Sequence, residues 1–213
     1  MSRSLPARFV TLEGIEGAGK STVAHHLVEW LKSRGAAVRL TREPGGTVLA
    51  ERVRSIVLER GGETLSAGTE TLLMFAARGI HVENLIRPAL ARGEWVVCDR
   101  FTDATRAYQG DGRGVSRALI EELAQIVHPQ LVPDCTLLLD LPVPLGLARS
   151  KRRTGDAPAD RFEVEPDEFF ERVRSAYLEL ARREPQRIRI IDASKPLPEV
   201  HAQVQGALQG LIG

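Results

Sequence analysis

The stretch GIEGAGKST at residues 14–22 decides the fold of this chain. Gly14, Gly19, Lys20 and Ser21 keep the spacing of a phosphate-binding loop: Gly, four residues, then Gly-Lys-Ser. The required context surrounds it. FVTLE before the loop is a short β-type run, and Val23, Leu27, Val28 and Leu31 follow at helical spacing until Gly35. Glycines let backbone N–H groups approach phosphate oxygens, and the helix N-terminus adds partial positive charge. In this pattern Lys20 meets the β- and γ-phosphates of ATP and the Ser21 hydroxyl ligates Mg²⁺.

Outward from the loop, strands alternate with helices. AVRLT is a second strand, broken by REPGGT. A helix then carries Leu49, Val53, Ile56 and Val57 inward, and a longer one runs from about Thr69 to Leu90. EWVVCDR is a strand, SRALIEELAQIVH an amphipathic helix after a loop, and CTLLLDL a strand apolar throughout, as expected when both faces are covered. Helices from about Pro144 to Arg153 and Phe169 to Arg182, the strand RIRIID and a last helix complete the chain. This order predicts an α/β fold, a doubly wound parallel sheet with helices on both faces, as a single domain over 1–213. Ligands of such sheets bind beyond the carboxyl ends of the strands, where Glu13, Asp99, Arg100, Asp140 and Asp192 fall. Asp99 has two readings there, orienting the metal directly or through water, and capping the next helix. Asp140 has no assignable partner.

Composition narrows the partners. Lys and Arg number 29 against 28 Asp and Glu, so the net charge of +1 gives no sign of a nucleic-acid-binding surface. No segment approaches the ~20 apolar residues of a membrane span, and the N-terminus lacks a signal-peptide core. Cys98 and Cys135 lie in strand-like runs as buried free thiols, which fits a reducing, cytoplasmic setting. The histidines lack zinc spacing and are read as surface or packing residues, as are Trp30 and Trp95.

The acceptor of the phosphate is indicated by DRFTDATRAYQG from Asp99 to Gly110. With TREPGGT, AAR at 76–78 and GIEGAGKST, it resembles bacterial thymidylate kinases along essentially the whole chain. The resemblance implies ATP and dTMP as substrates, Mg²⁺ at Ser21 and Asp99, and a homodimer. It implies that Gly14, Ile15, Glu16, Gly17, Ala18, Gly19, Lys20, Ser21 and Thr22 hold the donor, with Arg149 against the adenine and Asp192 nearby. Arg100 and Arg54 would grip the acceptor phosphate, since a guanidinium fork matches phosphate geometry. Glu16 would face the sugar 3′-hydroxyl, and Arg78 would donate to a thymine carbonyl. Thr105 and Gln109 fall at the base edge, Tyr108 beneath the deoxyribose, and Glu43 of TREPGGT in the same pocket. Two positions depart from the family pattern. Met74 stands where a stacking phenylalanine is usual, with Phe75 beside it, and Ala104 stands where serine is usual.

RSKRRTGDAPADRFE contains a polar insert, about 150–163, read as a lid. Arg149 and Arg153 are one helical turn apart and point the same way, toward a polyphosphate. The family stabilises the transferring group with an arginine in the loop or arginines in the lid. Here the loop carries Glu16 and no arginine, which leaves the task to Arg153, with Arg152 beside it. The catalytic set is therefore Lys20, Arg153, Arg100, Glu16 and Asp99. Two rivals remain at this level: a kinase for another monophosphate such as dUMP or dGMP, and an ATP-dependent switch without an acceptor.

Overall fold

A computed structural model describes residues 5–60, 63–154 and 161–212. Five strands form one parallel sheet: β1 Phe9–Glu13, β2 Val38–Arg42, β3 Trp95–Asp99, β4 Cys135–Asp140 and β5 Ile188–Asp192, in the order β2-β3-β1-β4-β5. The chain winds from β1 to one edge and later crosses to the other. The crevice where connections diverge therefore opens at the end of β1, where the Gly-rich loop begins. Alternate residues of the central strands face opposite cores. Val10, Leu12, Trp95 and Val97 pack with α1 (Lys20–Lys32), while Phe9, Val96 and Cys98 pack with Val82, Ile86 and Phe101. Trp95 is fully buried, and Cys98 and Cys135 are buried free thiols, as expected for packing residues.

The remaining helices are α2 Val48–Leu58, α3 Ala67–His81, α4 Arg87–Ala91, α5 Thr102–Thr105, α6 Arg117–Val127, α7 Val143–Thr154, α8 Asp167–Arg183 and α9 Leu197–Ile212. Three expectations need correction. The single helix from Thr69 to Leu90 is α3 and α4 joined by a π-helical turn, Val82–Ile86. Pro88 follows that widened turn, and it has no N–H for the carbonyl four residues back. The stretch before α6 is α5 followed by a second π-helical run, Arg106–Gly112, in which Tyr108 and Gln109 are buried. On α2, Ala50 and Val57 face inward, whereas Leu49 and Ile56 are half exposed. Apolar residues lie on two faces of that helix, and periodicity does not say which face meets the core. Of the expected lid, residues 150–154 belong to α7, and 155–160 lie outside the described residues.

α7 rests directly on the Gly-rich loop. A Cβ on Gly17 would collide with the Gly146 carbonyl. One on Gly146 would sit 2.7 Å from the Glu16 carbonyl oxygen and 3.0 Å from Ile15 Cδ1. The helix that carries Arg149 and Arg153 is thus set against the loop backbone to backbone. Gly146→Ala should gain up to about 1 kcal/mol of helix propensity and lose about 1–3 kcal/mol to overpacking. The expected result is a melting temperature lower by a few degrees, read by calorimetry. A rise would show that α7 has room to move off the loop.

Candidate active site

One cavity of about 690 Å³ opens at the strand ends. Glu16, Gly17, Ala18, Gly19, Lys20, Ser21 and Thr22 form one wall, while Gly14 and Ile15 lie behind it. The turn is built on left-handed glycines, Gly17 at φ 72° and Gly19 at φ 89°. Lys20 Nζ donates to the Gly14 and Ile15 carbonyls at 3.1 and 3.0 Å, which hold it at the loop mouth. Burial, and then the nearby Arg100 charge, pull its pKa down to about 8, against the opposing pull of Asp99, Glu16 and Glu13. Asp99 lines the same wall. Its Oδ1 is buried and has no hydrogen-bond partner among the described residues, and α5 has no side-chain cap, so the capping reading fails. Asp99 and Ser21 line one cavity, and a carboxylate beside a hydroxyl fits a hard cation.

Arg100 turns the chain at the end of β3 with φ 72°. A left-handed non-glycine residue costs about 1–3 kcal/mol, so its surroundings must impose it. The Arg100 amide donates to the Leu12 carbonyl at 2.9 Å, and the next amide, Phe101 N, donates to Glu13 Oε1 at 2.8 Å. The guanidinium then lies beside Glu16 Oε1 (2.9 Å) and Tyr108 Oη (3.0 Å), while Tyr108 donates to Glu16 Oε2 at 2.7 Å. Arg54 also lines the cavity, and its Nη1 donates to the Pro44 carbonyl at 2.8 Å. Asp103 fixes this segment from below through a two-bond contact with Arg187, at 2.6 and 3.1 Å.

At the far end, Arg78 is buried. Its Nε donates to Glu43 Oε2 at 2.7 Å, and its Nη2 to Thr105 Oγ1 at 3.0 Å and the Phe101 carbonyl at 3.2 Å. Its Nη1 has no partner among the described residues. Glu43 Oε1 meets His81 Nδ1 at 3.0 Å, and His81 Nε2 meets Thr41 Oγ1 at 2.7 Å. Burial raises the Glu43 pKa, but Arg78 and His81 together outweigh it and hold the carboxyl below its usual range. Glu43 therefore orients Arg78 with both oxygens engaged. Met74 lines the cavity, whereas Phe75 is buried beneath the Arg78 guanidinium, 4.7 Å from its ring centre. Ala104 and Gln109 also line it, and Gln109 Nε2 donates to Glu70 Oε1 at 2.7 Å. Glu70, which the sequence did not single out, also receives Arg113 Nε at 2.9 Å and pairs with Arg161.

Arg149 and Arg153 both reach the cavity, as their spacing predicts. Arg149 Nη1 donates to the Ala193 carbonyl at 2.8 Å. Arg153 is largely exposed, 3.7 Å from Glu163. Asp192 is placed otherwise: Oδ1 accepts from the Ser194 amide and hydroxyl, and Ala193 and Lys195 line the cavity instead. Asp140 has a partner after all, Arg174, at 2.7 and 2.9 Å.

A phosphate-binding loop facing a second, arginine-lined pocket within one cavity defines a P-loop phosphotransferase of the nucleoside monophosphate kinase type. The thymidylate kinase family model matches residues 12–204. Curated thymidylate kinases of Pseudomonas putida (strain W619) and Bordetella pertussis are 54% and 53% identical, each match covering 96% of this chain and 97% and 96% of the relative. The crystal structure of thymidylate kinase from Ehrlichia chaffeensis superposes with a TM-score of 0.76 at 34% identity, covering 96% of this chain and 99% of that one. The chain belongs to the thymidylate kinase family.

Removing the Glu43 charge should leave Arg78 buried and unpaired. Glu43→Gln is expected to lower stability by about 3 kcal/mol at pH 7, measured by urea unfolding. The lowered carboxyl pKa means that this contribution is complete above about 4.5 and is lost as pH falls below it. The variant's stability should accordingly fall less steeply in acid than that of the parent protein.

Proposed function

We propose that this chain transfers the γ-phosphoryl group of ATP to dTMP, yielding dTDP and ADP for DNA precursor synthesis. The observation that carries this reading is a single cavity with Lys20 and the loop amides at one end and the unpartnered Nη1 of Arg78 at the other. A base carbonyl is the acceptor that the buried N–H lacks. Arg100 and Arg54 lie between the two ends and take the acceptor phosphate. Glu16, already paired with Tyr108 and Arg100, meets the sugar 3′-hydroxyl, and Tyr108 closes the space that a 2′-hydroxyl would need. Met74 packs on the base, and Phe75 supports Arg78 from behind. Thr105 and Gln109 complete the base edge.

At the donor end Lys20 exchanges loop carbonyls for phosphate oxygens, and Arg149 lies along the adenine. Ser21 and Asp99 would hold Mg²⁺, which supplies neutralisation of charge on the phosphates. Catalysis is then positioning and charge compensation, with no covalent intermediate. Since the loop contains no arginine, Arg153 on α7 meets the charge on the transferring group, with Arg152 as its neighbour. Two buried free thiols suit a reducing, cytoplasmic setting. No helix of the described residues is long and apolar enough to cross a membrane.

A coupled ADP-release assay over a panel of nucleoside monophosphates tests the reading. Release should depend on monophosphate and be fastest with dTMP; release without any monophosphate would indicate a switch, and a preference for another base would reassign the pocket. In the same assay Arg153→Ala should lower kcat by roughly 10³-fold while the dTMP dissociation constant changes by less than about threefold.

A homodimer belongs to the same reading. α3 packs between α2 and α6, and these helices leave Val48, Leu49 and Ile56, then Leu72, then Leu119 and Ile126 outward. Exposed apolar side chains on neighbouring helices support an interface there. Sedimentation equilibrium should give twice the chain mass, and Leu49→Glu combined with Ile56→Glu should give the single-chain mass. A parent protein that sediments as a monomer at micromolar concentration would refute it.

A further inference from the structure

Arg100 is held from three sides, and one of them lies outside the cavity. Glu16 and Tyr108 line the cavity, where an entering nucleotide would meet them. The third contact is Tyr177 on α8: Arg100 Nη1 donates to Tyr177 Oη at 3.3 Å. Tyr177 is buried, 3% exposed, and the cavity wall does not include it. Its hydroxyl donates to Glu13 Oε2 at 2.7 Å. A phenol has one hydrogen, so donation to Glu13 leaves a lone pair for Arg100. Glu13 is itself fixed, because its Oε1 accepts from Phe101 N, the amide that follows the left-handed Arg100. One buried carboxylate thus sets both the backbone turn and the direction of the hydroxyl that receives the guanidinium.

We infer that Tyr177, oriented by Glu13, positions Arg100 for the acceptor phosphate without touching any ligand. The inference rests on the proposed role of Arg100. It predicts a specific pattern: loss of the hydroxyl weakens acceptor binding through Arg100 and leaves donor binding alone. Tyr177→Phe keeps the ring, which packs edge-on against Tyr108 at 6.3 Å.

Calorimetric titration of dTMP and of ATP into wild type, Tyr177→Phe, Arg100→Ala and the double variant tests it. Tyr177→Phe should weaken dTMP roughly tenfold, the low end for a hydrogen bond to a charged group, with ATP affinity within about twofold. In the Arg100→Ala background it should weaken dTMP by less than about twofold. Equal losses in both backgrounds, or parallel losses for ATP and dTMP, would overturn the inference in favour of general packing. Glu13→Gln supplies a second route should Tyr177→Phe fold poorly. Phe101 N needs the amide oxygen, so the amide NH₂ faces Tyr177, competes for its lone pair, and should reproduce the Arg100-dependent loss. A Glu13→Gln protein with unchanged dTMP affinity would count against it. Failure of wild type to bind dTMP would sink the proposed function instead, and it shows in the first titration.

Discussion

The architecture of the site depends on the carboxylate of Glu13, buried where β1 becomes the phosphate-binding loop. Burial, reinforced by Asp103, pushes its pKa up to about 7 against the pull of Arg100, Tyr177 and the Phe101 amide. A group that costs so much to ionise is retained because it joins three parts of the chain. It precedes Gly14, it receives the amide after the left-handed Arg100, and it receives the hydroxyl of Tyr177. The Gly-rich loop, Arg100 and α8 are thereby referred to one fixed point. A loop of glycines needs such a point, because its own backbone prefers no single conformation.

The Arg78 end of the cavity is organised differently, by a buried, matched pair of charges. Glu43 engages Arg78 and His81 with its two oxygens, and both N–H groups of Arg78 Nη1 are left with no partner among the described residues. Selectivity in such a pocket comes from the penalty for leaving such N–H groups unpaired. Glu70 gathers Gln109, Arg113 and Arg161 in the same manner, which ties the cavity wall at Gln109 to the chain at Arg161.

Much of this was legible in the sequence because the signals were local. The loop pattern, the apolar strands and the inward face of α1 each need only a few adjacent residues, and the arginines at 54, 78, 100, 149 and 153 all reach the cavity. The π-helical turns at Val82–Ile86 and Arg106–Gly112 were not legible, since a widened turn has no compositional signature beyond a nearby proline. Leu49 and Ile56 were misplaced because apolar spacing names a face without naming its partner. Asp192 closes its own turn on Ser194, and its neighbours Ala193 and Lys195 line the cavity. Glu13 is legible as a strand-end acid, but its contacts and those of Glu70 are not, because the partners are remote, with Tyr177 lying 164 positions from Glu13 and Arg161 lying 91 from Glu70.

That remoteness has a consequence for how the molecule is made. During synthesis the phosphate-binding loop emerges well before Tyr177 and Arg187. Contacts of such long sequence separation close late, since the loop they span must first be ordered. A nascent chain that ends before α8 carries the entire GIEGAGKST motif, with Glu13 lacking the Tyr177 hydroxyl and Arg100 lacking its third support. The loop is thus written well before the residues that brace Glu13 and Arg100.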